Sequence, residues 1–140
     1  MSKTRKKQTG GKTKKQMQKK RAPSKEQITK ASERLRRTKQ QLQKAESCWD
    51  DDHFMEALKQ RPKEERQKAF DSKLEIGSKI LMIENAQIEL VASQVEKNSK
   101  ELESAIANLG DSLQTLSNVT RILDATGSLL SLVGKILALV

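Results

Sequence analysis

The stretch FDSKLEIGSKILMIENAQIELVASQVEKNSKELESAIANLG, residues 70–110, decides the fold. Its Phe70, Leu74, Gly77, Leu81, Glu84, Ile88, Val91, Val95, Asn98, Leu102, Ala105 and Leu109 follow one another at spacings of three and four. That alternation belongs to an α-helix with one apolar side. A second stripe, Ala69, Ile76, Ile80, Ile83 and Leu90, runs beside the first. The combined face is wider than a two-stranded seam and suits a helical bundle. Upstream, Pro62 can occupy the first helical position, with Glu64 and Glu65 near the positive end of the helix dipole. No proline follows it, so the pattern predicts one long helix over 62–109. Glu84 and Asn98 interrupt the seam, either to fix register or where the stripe drifts around the helix.

Downstream, Gly110 has the chemistry of a residue just past a helix end. Asp111 then suits a new N-cap, with Gln114 three residues on. The expected fold is therefore all-α, a helical bundle or coiled coil built on a C-terminal hairpin, with 112–140 returning along 62–109. Leu116, Leu123, Leu130 and Leu137 repeat every seven residues in the returning arm. With Leu74, Leu81, Ile88, Val91, Val95 and Leu102 they form the expected helix interface, closed within the chain, by a second copy or by another helical protein. Gly127, Ser131, Gly134 and Ala138 make a row of small side chains that would admit close packing of a helix backbone.

The same arm carries a competing reading as a membrane-inserted or interfacial helix. Asp124 and Lys135 weigh against an isolated span, because a charge at mid-bilayer costs about 2.5–3.5 kcal/mol on insertion scales. No run of uninterrupted apolar residues is long enough to predict a conventional transmembrane segment.

Toward the N-terminus, Asp50, Asp51 and Asp52 suit a turn and a helix start, and Phe54, Ala57 and Leu58 give one face of a short helix over 52–60. Before that, Ile28, Ala31, Leu35, Thr38, Leu42 and Ala45 define a narrow heptad seam in a charged helix over 24–47. Ser24 and Gln27 fit a capping box at its start. The expected division is a tail at 1–23, the charged and short helices at 24–61, and the hairpin at 62–140.

Charge divides the chain more sharply than hydropathy. The 28 Lys and Arg exceed the 18 Asp and Glu by ten. Residues 1–21 contain ten basic side chains and no acidic one, so the whole excess lies there. With almost no apolar side chains, this tail cannot bury enough surface to offset ordering, and disorder is expected. Lys3, Arg5, Lys6, Lys7, Lys12, Lys14, Lys15, Lys19, Lys20 and Arg21 are candidate polyanion contacts, extended into the first helix by Arg34, Arg36 and Arg37. Nucleic acid is the leading partner, bound through phosphates rather than by stacking, since no aromatic residue is interleaved. An anionic membrane surface and nuclear import in a eukaryotic host are the other readings. No secretory signal is legible, and the expected location is the cytoplasm, or the nucleus in a eukaryote.

Catalysis is not expected. The single Cys48 and single His53 lie near Asp50–Asp52 and Glu56, a conceivable nucleophile pair or metal cluster. A turn with capping carboxylates and an exposed imidazole explains the same residues. No phosphate loop, dinucleotide fingerprint or serine elbow is present. The sequence therefore predicts no catalytic residue, metal or cofactor. It points to a non-enzymatic assembly protein whose self-association would multiply weak tail contacts.

Overall fold

The structure, a computed structural model, describes residues 22–138. The basic segment 1–21 and its expected disorder lie outside the described residues. The described chain is all-helical, with no strand. Its elements are α1 (Lys25–Glu46), a 3-10 turn (Ser47–Asp50), α2 (Asp52–Lys59), α3 (Lys63–Glu84), α4 (Ile88–Lys97), α5 (Ser99–Ser112) and α6 (Val119–Leu137).

Local chemistry sets most of these starts. The Ser24 hydroxyl accepts from the Gln27 amide at 3.1 Å, and the Gln27 side chain accepts from the Ser24 amide at 2.9 Å, completing the capping box. The Asp51 carboxylate accepts from the amides of His53 at 2.8 Å and Phe54 at 3.4 Å. Pro62 is the N-cap of α3, one residue before the expected position. At α6 the Asn118 side chain accepts from the Arg121 amide at 3.2 Å.

Packing follows from side-chain pairs between helices. Arg34 reaches Glu103 and Gln41 reaches the Ile106 carbonyl, so α1 runs parallel to α5, while Gln27 at its start reaches Glu96 near the end of α4. Lys39 meets Glu84, and Gly77 lies by Glu46, so α1 is antiparallel to α3. Thr120 meets Glu65 and Asp124 meets Lys68, so α6 is parallel to α3. It returns antiparallel along α5. The result is an up-down-up-down bundle of α1, α3, α5 and α6, in which α1 and α6 each pack against α3, α4 and α5. The main core joins Leu35 and Leu42 of α1, Ile76 and Ile80 of α3, Val91 and Val95 of α4, Leu102 and Leu109 of α5, and Leu129 to Leu137 of α6. A second cluster closes the α2 end, where Cys48, Phe54 and Leu58 meet Ala69, Val119, Ile122 and Leu123. There the Trp49 and Phe54 rings stand 5.0 Å apart at 56°.

Three sequence expectations are corrected. The long helix over 62–109 is broken at Asn85–Gln87, where Gln87 is extended, and bends again at Asn98. Asn98 is buried and its side-chain amide donates to the Gln94 carbonyl at 2.8 Å, which satisfies the helix end inside the core. The hairpin turn is not at Gly110–Asp111 either. α5 runs through both, and the link is 113–118. Gly110 has a packing reason instead: a Cβ there would sit 2.8 Å from the Gln41 side-chain amide, which donates to the Ile106 carbonyl at 3.0 Å.

The third correction concerns which stripe of α3 faces inward. Ala69, Ser72, Ile76, Ile80 and Ile83 are buried. Phe70, Leu74 and Leu81, the first-read seam, are 57%, 61% and 59% exposed. The two stripes lie about 140° apart on the helix. Burying the Phe70 stripe would also bury the Glu84 carboxylate and gain no side chain at Gly77. Burying the isoleucines contributes about 1.5–3 kcal/mol each without that cost.

Candidate polyanion-binding face

The tail joins the bundle at Pro23–Ser24, the start of α1. The seam of α1 faces inward as its spacing predicts: Ala31, Leu35, Thr38, Leu42 and Ala45 are buried and Ile28 is half-buried. The opposite side therefore presents the cations of the candidate site to solvent or to neighbouring helices. Most of them are already engaged. Arg34 donates to Glu103 at 3.3 Å, and Arg37 pairs with the same carboxylate. Arg36 pairs with Glu33 one turn away, and Lys39 meets Glu84 at 3.1 Å. These contacts hold Glu103 below the usual carboxylate range, first through Arg37 and then through Arg34, and they push the Arg37 guanidinium up.

Glu103 is the residue the sequence reading missed. Nothing in its neighbourhood marks it, because its partners are 66 and 69 residues away. Only the parallel register of α1 on α5 brings them together. Two guanidiniums on one carboxylate leave one net positive charge, so Arg34 and Arg37 keep part of their cationic character while fixing α1 to α5. Lys25, Lys30 and Lys44 are exposed on α1 and make no ion pair among the described residues.

A second charged surface, of mixed sign, lies along α5 and α6. A trough of about 890 Å³ runs between α5 and α6, with Lys68, Lys100 and Lys135 on its walls and Glu101 and Asp124 among them. Lys68 is held by Asp124 at 3.2 Å. Gly127 and Ser131, from the expected close-packing row, line this trough. A Cβ on Gly127 would meet nothing within 4 Å, so no helix of the described chain closes on it. Gly134 is tighter, since a Cβ there would lie 3.3 Å from the Lys79 side chain. Ala138, the last of the row, is exposed.

The expected interface residues divide in the same way. Val91, Val95, Leu102, Leu123, Leu130 and Leu137 are buried in the chain's own core, Ile88 and Leu116 are half-buried, and Leu74 and Leu81 face outward. Among the described residues no helix is long and apolar enough to cross a membrane.

Cys48 and His53 do not assemble into a nucleophile pair. Cys48 is buried, and burial with the nearby Asp51 charge pushes its thiol up to about 11. The His53 side chain is 86% exposed and faces its own capping residue, Asp51, at 3.4 Å. Among the described residues no group of three His, Cys, Asp or Glu is arranged to hold a metal ion. Neither a known family, nor a curated protein, nor a solved structure matches the chain.

Proposed function

We propose that the chain is a non-enzymatic helical assembly protein. It holds a polyanion, nucleic acid first, through the basic residues of 1–21, and it associates with copies of itself or another helical protein through its helical body. The observation that carries this reading is the segregation of charge: ten cations and no anion in residues 1–21, and as many acidic as basic side chains in the remainder. The body's own arginines support it further. Arg34, Arg36 and Arg37 are committed to Glu103 and Glu33, which leaves the tail as the main uncompensated cation store. Lys-rich segments bind phosphates as point charges and displace counterions, so affinity falls steeply with salt and varies little with base sequence. The same reading puts the chain in the cytoplasm, or in the nucleus of a eukaryote.

Fluorescence anisotropy with labelled duplex DNA, single-stranded RNA and heparin tests it. If six to ten phosphates are neutralised, affinity drops by about 10³–10⁵ between 50 and 200 mM salt. Deleting 1–21 abolishes binding. Undiminished binding by the truncated chain overturns the assignment. The alternative, insertion of the C-terminal helix in a bilayer, requires the bundle to open, because nine residues of α6 already face its interior. Flotation with neutral liposomes, lost when 112–140 is removed, would favour that alternative.

A further inference from the structure

Phe70, Leu74 and Leu81 stand more than half exposed on one face of α3, turned away from the core. A single exposed leucine, such as Leu90 on α4 at 60%, needs no explanation. Three on one line are different. With Gly77 between them they are spaced four, three and four, the alternation of positions a and d in a two-stranded coiled coil. We propose that this face of α3 docks a second copy of the chain, α3 against α3 and antiparallel, about a twofold axis crossing beside Glu75 and Ile76. The inference rests on the self-association reading above and names its surface.

Size complementarity selects the orientation. In an antiparallel pair each a position meets a d position. Phe70 then faces Leu81 of the second copy, and Leu74 falls opposite Gly77, which adds no side chain of its own and beside which the Glu46 carboxylate of α1 lies. Symmetry repeats both contacts. A parallel pair would stack Gly77 on Gly77 and bring no apolar side chain to the middle of the seam.

Charge selects the same orientation. Antiparallel packing sets Arg66 level with Glu84 of the second copy on the same flank, and Gln67 level with Asn85 on the other. Arg66 makes no ion pair among the described residues. Glu84 is held by Lys39 at 3.1 Å, yet its side chain is 43% exposed and its carboxylate has acceptor capacity left. A parallel pair would instead place Glu84 on Glu84 and Lys63 on Lys63. Lys73 is the one like-charged approach in the antiparallel pair. Its twin lies about 7.5 Å along the axis, and its long stem carries the ammonium into water.

Three apolar side chains per copy are fewer than a standard interface of roughly 800 Å² per partner holds, so the dimer forms and dissociates with concentration. Sedimentation of the full chain over about 5–500 µM should show a monomer–dimer equilibrium. Leu74→Lys weakens it by more than about tenfold, with circular dichroism and melting unchanged because Leu74 is 61% exposed. For orientation, Phe70→Cys mixed with Leu81→Cys cross-links on oxidation, and Leu81→Cys alone does not; Cys48 is buried and does not compete. A wild-type chain that stays monomeric throughout overturns both this inference and self-association. Oligomers that persist in Leu74→Lys overturn the surface and leave self-association standing. Self-cross-linking of Leu81→Cys overturns the antiparallel arrangement. Wild-type binding to neutral phosphatidylcholine vesicles, lost in Leu74→Lys and with no dimer in solution, makes lipid the occupant and overturns the proposal.

Discussion

Two buried threonines on different helices differ by one hydrogen bond. Thr38 and Thr126 are both fully buried. The Thr38 hydroxyl donates to the Arg34 carbonyl at 2.8 Å. The Thr126 hydroxyl has no partner among the described residues. A buried hydroxyl without a partner is destabilising, and removing it while keeping the shape recovers that loss. Thr126→Val is therefore expected to raise stability by about 1 kcal/mol in urea unfolding, and Thr38→Val by less or not at all. Thr126 lies in a heptad series between Val119 and Val133, so its place in the core is legible from the sequence, but its missing partner is not. Cys48 shows the same division. Its neighbourhood of acids and a histidine suggests reactivity, and only burial reveals the opposite. With the thiol near 11 instead of the ordinary 9.0, alkylation by iodoacetamide at pH 8 should run roughly a hundredfold slower than for a free thiol, and recover on unfolding.

At the level of elements, α1 and α2 are legible because each carries one stripe and a clear cap. Their expected and observed bounds agree within a residue or so. α3 carries two stripes with the same period, and periodicity alone does not rank them. The composition of each stripe does, since isoleucines on one side outweigh a seam containing Gly77 and Glu84. The break at Asn85–Gln87 leaves no proline or glycine as a marker, and the polar Glu84, Asn85 and Gln87 are its only trace. Glu103 adds to the contact between α1 and α5, and here a pH effect follows. Because Glu103 titrates below its unfolded value, its contribution is complete above the ordinary carboxylate range and is lost as pH falls through the folded value. Both arginines and the carboxylate are partly exposed, so the contribution is modest. Glu103→Gln should cost about 0.5–1 kcal/mol at pH 7, and the difference from wild type should shrink as pH falls through the folded value of Glu103. A difference that persists in acid would assign the loss to packing.

For the molecule as a whole, the sequence supports helices and a bundle but not the order in which they pack. Helix period sets which side is buried and says nothing of which neighbour buries it. A chain broken at Asn85–Gln87 and again at Asn98 can lay α3 and α5 on opposite sides of α1 and α6, whereas the unbroken helix expected from the sequence could not. Charge, in contrast, is legible without any topology. The excess of ten cations lies wholly within residues 1–21, and the remainder is formally neutral. Core formation and the proposed polyanion attraction therefore reside in different parts of the chain. The cores described above are closed by residues from Ala31 to Leu137, and the tail sequence has only Met1 and Met17 to add to them. Deleting 1–21 should accordingly leave the melting temperature within about 2 °C of the full chain. The same deletion should remove retention on a cation exchanger at neutral pH, because the isoelectric point falls from 9.8 toward neutrality. A large drop in melting temperature would mean that the basic segment takes part in the fold, and the separation of the two roles would fail.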